Sequence, residues 1–301
     1  MPTDVPPFEA SFDERDFLDL PLSELHSSVM PLFFFGPEAT IGLGTAFTIS
    51  SLGLMLTARH VIEDAIQLLE ESPEGYVAVV YITSGEGREV PDLFGGRLRV
   101  SRVARSMTTD MALLELELPI IAGERLVLPA LQLSPGYPTP GEVMALGYNR
   151  LEGGVTDKMT PGAIELQSRL KASRGTITQV HGEKRDTVML PFPCFEMSVR
   201  TDPGMSGGPI IAASNGRVCG VVCTGLHADD EAFTSWGSVL APAFALSFSE
   251  EDAGSDTESL LALARRGFLS VDSSVEGISL WQNADGTQTM QVKRPKQTEA
   301  G

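Results

Sequence analysis

Residues 201–210 read TDPGMSGGPI, and the reading of this stretch decides the fold. Proline fixes φ, and glycine opens backbone conformations closed to other residues. The stretch is too broken for a helix and too glycine-rich for a strand interior. It therefore describes a tight loop held in one shape, and its one reactive side chain is the Ser206 hydroxyl. In isolation such a run equally describes a surface turn in which the serine caps a neighbour. The remainder of the chain has to separate the two.

The chain has 301 residues, 42% of them hydrophobic, with 30 Gly and 20 Pro. That is enough for one large all-β domain or two smaller units of many short strands. No apolar run reaches 18 residues, so no membrane span is expected. The first 24 residues carry seven acids and one base. A secretory signal needs a basic start and an apolar core, and neither is present. Cys194, Cys219 and Cys223 are the three cysteines. Cys219 and Cys223 on one strand would lie roughly 13 Å apart, beyond disulfide reach. No cysteine pair or histidine neighbour has zinc spacing, so neither metal nor cofactor is expected. Three free thiols fit a reducing compartment, and the cytoplasm is the expected location. A net charge of −18 argues against nucleic-acid binding and leaves open attraction of basic peptides or plain solubility.

Residues 1–27 read as an acidic flexible leader, with a short helix near 16–25. From Val29 the pattern turns to short apolar runs: VMPLFFF, IGLGTAFTIS, GLMLTAR, YVAVVYIT, RLRVSRVA and MALLELEL. Each has strand length and is set off by turn residues. HVIEDAIQLLEE (60–71) instead follows helical spacing. After a turn-rich bridge comes a second series: EVMALGYN, AIELQSRL, RGTITQVHG, TVMLPF, CFEMSV, PIIAAS, RVCGVVCTG and GSVLAP. The expected fold is all-β: two six-stranded antiparallel barrels, about 28–130 and 141–248, in one domain spanning 28–248. Residues 249–301 form an expected α/β extension. There TESLLALARRGFL makes a helix with Thr257 as possible cap, and Asp285-Gly286 turns a hairpin.

Serine-driven amide hydrolysis needs a base, an acid to orient it, donors for the oxyanion and a groove for the substrate. His60 ends the apolar run of LMLTARHVI, where a rigid strand could hold an imidazole; the other three histidines lie in the leader, a hairpin tip and an acidic loop. Asp110 stands directly before a buried-looking strand, where an acid is costly unless partnered. The N–H groups of Gly204 and Ser206 flank Met205 in the kinked loop and could point the same way. RVCGVVCTGL ends in Gly225, which leaves backbone open to pair with an extended peptide. Taken singly, His60 also fits a helix cap or core histidine, Asp110 a turn cap, and the strand an ordinary core strand.

Taken together, GTAF (44–47), LTARHV (56–61), DMALLEL (110–116), PGMSGGPI (203–210) and VCGVVCTG (218–225) resemble the successive blocks of the trypsin-like serine peptidases, especially the minimal bacterial and HtrA-like branch. GEVMALGYN and RGTITQV resemble two connecting blocks, so the likeness runs from about Val29 to Phe248. Histidine, aspartate and serine follow one another at separations of 50 and 96 residues. The resemblance implies a serine endopeptidase with Ser206 as nucleophile, His60 as base, Asp110 as orienting acid, and Gly204 and Ser206 as oxyanion donors. It also places Arg200, Thr201, Cys223, Thr224 and Gly225 near the specificity pocket. There Arg200 either points inward, ready for an acidic side chain, or faces solvent.

The chain departs from the pattern in three ways. Met205 stands where secreted digestive members carry the aspartate that pairs with a newly cut N-terminus. The family's disulfides are missing. About 53 residues follow Phe248, too few for the PDZ domain of the HtrA branch. The expected partners are a protein or peptide substrate and a possible regulatory protein, without nucleic acid or membrane. A catalytically silent binding protein on the same fold and an esterase remain alternatives.

Overall fold

The computed structural model describes residues 17–19, 24–84, 93–149, 151, 169–227, 233–248, 258–282 and 288–293. Strand β1 (Phe17–Asp19) comes first in the chain. Six strands then close the first barrel: β2 (Val29–Phe35), β3 (Thr40–Thr48), β4 (Leu54–Thr57), β5 (Tyr76–Ser84), β6 (Leu93–Arg105) and β7 (Ala112–Leu116). Their order around the ring is β2-β3-β4-β7-β6-β5, every pair antiparallel. Helix α1 (Arg59–Glu71) leaves the ring between β4 and β5. A small hairpin, β8 (Ile120–Ile121) and β9 (Glu124–Arg125), opens the bridge to the second barrel.

The apolar runs of the first barrel are continuous because both strand faces are buried. Side chains alternate along a strand, so odd and even residues face opposite ways. In β2, Met30, Leu32 and Phe34 fill the barrel interior, with Ala46, Met55 and Leu114. Val29, Phe33 and Phe35 face the other way, into a larger core shared with the second barrel. Each large side chain so buried contributes about 1.5–3 kcal/mol over exposure. A single truncation such as Phe33→Ala would cost about 3–5 kcal/mol.

The second barrel comprises β10 (Gly141–Tyr148), β11 (Leu170–His181), β12 (Cys194–Met197), β13 (Pro209–Ala212), β14 (Arg217–His227) and β15 (Phe233–Val239). The ring runs β11-β10-β13-β14-β15-β12 and closes through β11–β12. The fold is thus two closed six-stranded antiparallel barrels, as the strand pattern predicts. One predicted strand falls almost wholly outside the described residues, and one is absent as such. AIELQSRL lies outside the described residues up to 168, and Leu170 begins β11. TVMLPF is a turn. The Asp186 carboxylate accepts the N–H groups of Val188, Met189 and Leu190 at 2.8, 2.6 and 3.2 Å. A carboxylate serving three successive amides competes with any ladder.

The leader enters the fold before Val29. Strand β1 pairs with β11, Phe17 opposite Ser173 and Asp19 opposite Lys171, along the stretch of that edge which β12 does not reach. Glu24–Ser27 form a 3-10 turn in place of the predicted helix, and there Leu25 and His26 are buried. In the extension, α2 (Leu260–Arg265) is capped by Ser259, whose Oγ accepts the Ala262 N–H at 3.3 Å; Thr257 lies outside the described residues. Strands β16 (Ile278–Gln282) and β17 (Gln288–Val292) pair antiparallel, and the predicted Asp285-Gly286 turn lies outside the described residues. Backbone bonds tie the extension to the inter-barrel bridge: Leu133 N–H to Ser270 O at 2.8 Å, and Asp272 N–H to Leu133 O at 3.0 Å. Leu260, Val275 and Ile278 join the larger core.

Candidate active site

Strand β4 ends at Thr57, Ala58 stays extended, and α1 starts at Arg59, so His60 sits in the first helical turn at a sharp corner. No side chain of its own caps this helix. The cap comes from 50 residues away: Asp110 Oδ1 accepts the His60 backbone N–H at 3.0 Å, and its Oδ2 meets His60 Nδ1 at 2.8 Å. One carboxylate therefore caps α1 and orients the imidazole, so the cap reading and the functional reading of Asp110 coincide. An ionised carboxylate only accepts, which places the ring proton on Nδ1 and leaves Nε2 as the basic nitrogen.

The pair shifts both pKa values. Burial pushes His60 down, but the Asp110 bond and charge, with Asp64 and Glu63 of α1, prevail and hold it above its ordinary 6.5. Burial pushes Asp110 up, but the bond and charge of His60, its backbone N–H and the Cys223 thiol hold it below the usual carboxylate value. Asp110 is 8% exposed at its side chain and His60 41%, so the acid is sealed and the base is open to a substrate.

The loop carrying Ser206 is tied on both sides. Within it, Met205 N–H donates to Asp202 O at 3.1 Å and Gly208 N–H to Met205 O at 3.0 Å. Gly207 N–H reaches Val222 O on β14 at 2.8 Å. From the first barrel, Thr45 N–H donates to Ser206 O at 2.8 Å and Thr45 Oγ1 to Gly204 O at 2.8 Å. The same Oγ1 accepts the Tyr148 N–H at 2.9 Å, and Thr57 Oγ1 holds Thr45 O at 2.7 Å. Gly204 and Gly207 have φ of 96° and 86°, a region that favours glycine. Among the described residues, the N–H groups of Gly204 and Ser206 meet no acceptor, while those of Met205, Gly207 and Gly208 all do. Met205 is fully buried against Gly147, so a packed thioether occupies the position before the serine.

The loop lies on the corner that carries His60. A Cβ on Gly207 would stand 2.2 Å from Thr57 Oγ1 and 2.9 Å from Ala58 N. The Ser206 hydroxyl itself donates to Cys223 O at 3.2 Å, and no hydrogen bond joins it to His60. Cys223 also turns its thiol to Ser238 Oγ at 2.9 Å, and Ser238 Oγ donates to Asp110 O at 3.5 Å. His60, Asp110, Ser206 and Gly204 are therefore brought to one place, with Cys223 touching both the acid's surroundings and the serine.

The expected pocket residues divide. Thr201 is buried, lies over Gly225 and has Thr224 one residue along β14. Arg200 is partly buried, its side chain 17% exposed. Its guanidinium forks onto Asp202, Nε to Oδ1 at 2.9 Å and Nη2 to Oδ2 at 3.1 Å. Thr45 and Asp202 went unread in the sequence. Thr45 stands in the quoted GTAF block, but nothing in the block says what its hydroxyl holds. Among the described residues no group of three or more His, Cys, Asp or Glu is arranged to hold a metal.

Residues 44–221 match the family described as trypsin-like peptidase domain. No curated protein matches the chain significantly. Solved structures similar to it include the Rv3671c protease from M. tuberculosis in its active form, at 20% identity over 72% of this chain and 78% of that chain, TM-score 0.45. The HtrA-type protease AlgW with a tripeptide shows 17% identity over 72% and 60%, TM-score 0.44. The MamO protease domain from Magnetospirillum magneticum shows 14% over 72% and 93%, TM-score 0.44.

Proposed function

Because the chain belongs to the trypsin-like peptidase family, we propose that it is a serine endopeptidase acting through His60, Asp110 and Ser206. The observation that carries this reading is the two-point bond between His60 and the buried Asp110, set beside a serine loop whose two candidate donor amides are unengaged.

Catalysis starts when the Ser206 hydroxyl turns from Cys223 O to His60 Nε2. The oxygen attacks the scissile carbonyl as its proton passes to the imidazole. Asp110 keeps the proton on Nδ1 and stabilises the imidazolium. The Gly204 and Ser206 amides take the oxyanion. Their neighbours' bonds already fix them, so little reorganisation accompanies the reaction. The imidazolium then returns its proton to the departing amine, and water repeats the sequence on the acyl-enzyme. Three buried free thiols accord with a reducing compartment, so the bacterial cytoplasm is the setting we propose, with processing of a partner protein as the role.

The Ser206–Cys223 bond favours a second reading, a silent binding protein in which the serine is parked. Labelling by a fluorophosphonate separates the two. An active hydrolase labels at Ser206 and the His60→Ala variant does not; a scaffold labels in neither. Turnover of peptides then separates a peptidase from an esterase.

A further inference from the structure

Two backbones flank Ser206. One is the approach to its loop, residues 199–202. The other is the end of β14, residues 223–225, whose first carbonyl holds the serine hydroxyl. A peptide laid in extended form along β14 would drop the side chain ahead of its scissile bond between these backbones. What fills the gap decides which side chain enters.

The gap is almost closed. Gly225 pairs with Ser235 on β15, and Thr201 lies over that pair. A Cβ placed on Gly225 would stand 2.2 Å from Thr201 Oγ1 and 3.5 Å from Ser235 Cβ. The threonine side chain thus presses directly on the bare glycine Cα. Ser235 behind it is fixed: fully buried, with Oγ donating to Val199 O at 2.7 Å. Cys223 and Gly225 are about 6.6 Å apart along the strand, so the slot ends one strand repeat from the nucleophile. The Thr201–Gly225 contact leaves no room there for a ring or a long chain.

Charge and polarity narrow the choice further. Arg200 and Asp202 neutralise each other in a two-bond fork, and the guanidinium lies 5.7 Å from the centre of the Phe233 ring. Neither member of that fork is left over for an ionised substrate side chain. Thr201 Oγ1, by contrast, is buried at the end of the slot without a hydrogen-bond partner. A buried hydroxyl left in that state is unfavourable, and a substrate hydroxyl would relieve it.

We propose that the slot accepts a small side chain ahead of the cut, serine first and alanine next, and that Thr201 is the residue that sets this preference. The inference rests on the endopeptidase reading and names its substrate class. Aromatic, basic and acidic residues are excluded by the Thr201–Gly225 contact and by the closed Arg200–Asp202 fork.

The test is a set of peptides identical except for Gly, Ala, Ser, Leu, Phe, Arg or Glu ahead of the cut, run on the full chain beside a fluorophosphonate labelling assay. The expected result is kcat/KM for Ser and Ala about tenfold or more above Phe, Arg and Glu. Thr201→Val keeps the shape and removes the hydroxyl; it should keep the small-residue preference and lose the advantage of Ser over Ala. Thr201→Ala, a second variant less disruptive than Thr201→Gly, should raise Leu and Phe relative to Ala. Labelling of Ser206 together with best cleavage after Phe, Arg or Glu overturns this inference and leaves the endopeptidase reading standing. Labelling with no cleavage of any peptide also overturns it. Failure to label overturns both.

Discussion

Thr45 Oγ1 on the first barrel donates to the carbonyl of Gly204 in the second, 159 residues away, at 2.8 Å. That hydroxyl also receives the Tyr148 N–H, and Thr45's own N–H holds Ser206 O. One threonine therefore fixes the peptide planes beside both candidate oxyanion donors. Thr45→Val keeps the shape and strands two polar partners. It should lower kcat by about 10²-fold, the order seen when one oxyanion donor is lost, with KM little changed. Thr45→Ser should restore the rate. Equal loss in both variants, or a change in KM alone, would refute the positioning role.

Ser206→Ala and His60→Ala should each lower kcat by roughly 10⁶-fold, and Asp110→Asn by roughly 10⁴-fold. Ser206→Ala alters no core contact, so its urea midpoint should match that of the parent. Measured peptide turnover with circular dichroism checks both halves. Full activity in the serine variant ends the mechanism.

The His60–Asp110 pair sets the pH response. His60 must be neutral to act as base, and its pKa is raised, so the acid limb of kcat/KM should have its midpoint above 6.5. Asp110→Asn should move that midpoint down. The stability signs follow from linkage. The contribution of His60 is complete below pH 6.5 and disappears as pH rises through its higher folded value. That of Asp110 is present above pH 3.8 and disappears as pH falls through its lower folded value. Denaturant midpoints of the parent and Asp110→Asn should therefore differ most between those limits.

Leu25 is 1% exposed and belongs to the core shared by the two barrels. Beside it, His26 meets Tyr148 edge-on with ring centres 6.4 Å apart. Leu25→Ala should cost about 2–5 kcal/mol, read as a lower urea midpoint. Equal stability of the parent and Leu25→Ala would show that the leader is not part of the core.

All three thiols are buried, and burial pushes Cys194 up to about 11 and Cys219 up to about 12. Thiolate is the reactive form, so the folded protein should resist Ellman's reagent at pH 8 and react with three equivalents in denaturant. Rapid reaction of the native protein would contradict this packing.

The strand count of the first barrel, helix α1, the candidate histidine, aspartate and serine, and the glycine loop around Ser206 were legible in the sequence. Each is a local matter: period, turn chemistry, or residue types in a short block. The turn at Asp186 was not legible, because VMLPF has strand composition and one carboxylate overrides it. The burial of Leu25 and the docking of the extension depend on contacts with elements distant in sequence, such as Tyr148 beside His26 and Leu133 bonded to Ser270. The same holds for the site. The sequence by itself determined which residues could act as nucleophile, base and acid, because those roles follow from side-chain chemistry. Only the tertiary structure decided that Asp110 serves the helix and the imidazole together. It also decided that Arg200 spends its charge on Asp202, and that Thr45 and Thr201 shape the loop and the slot. The Arg200–Asp202 fork is a choice of side-chain orientation between near neighbours, and the others join residues 24 or more apart, whose distances are set by packing that no local pattern encodes.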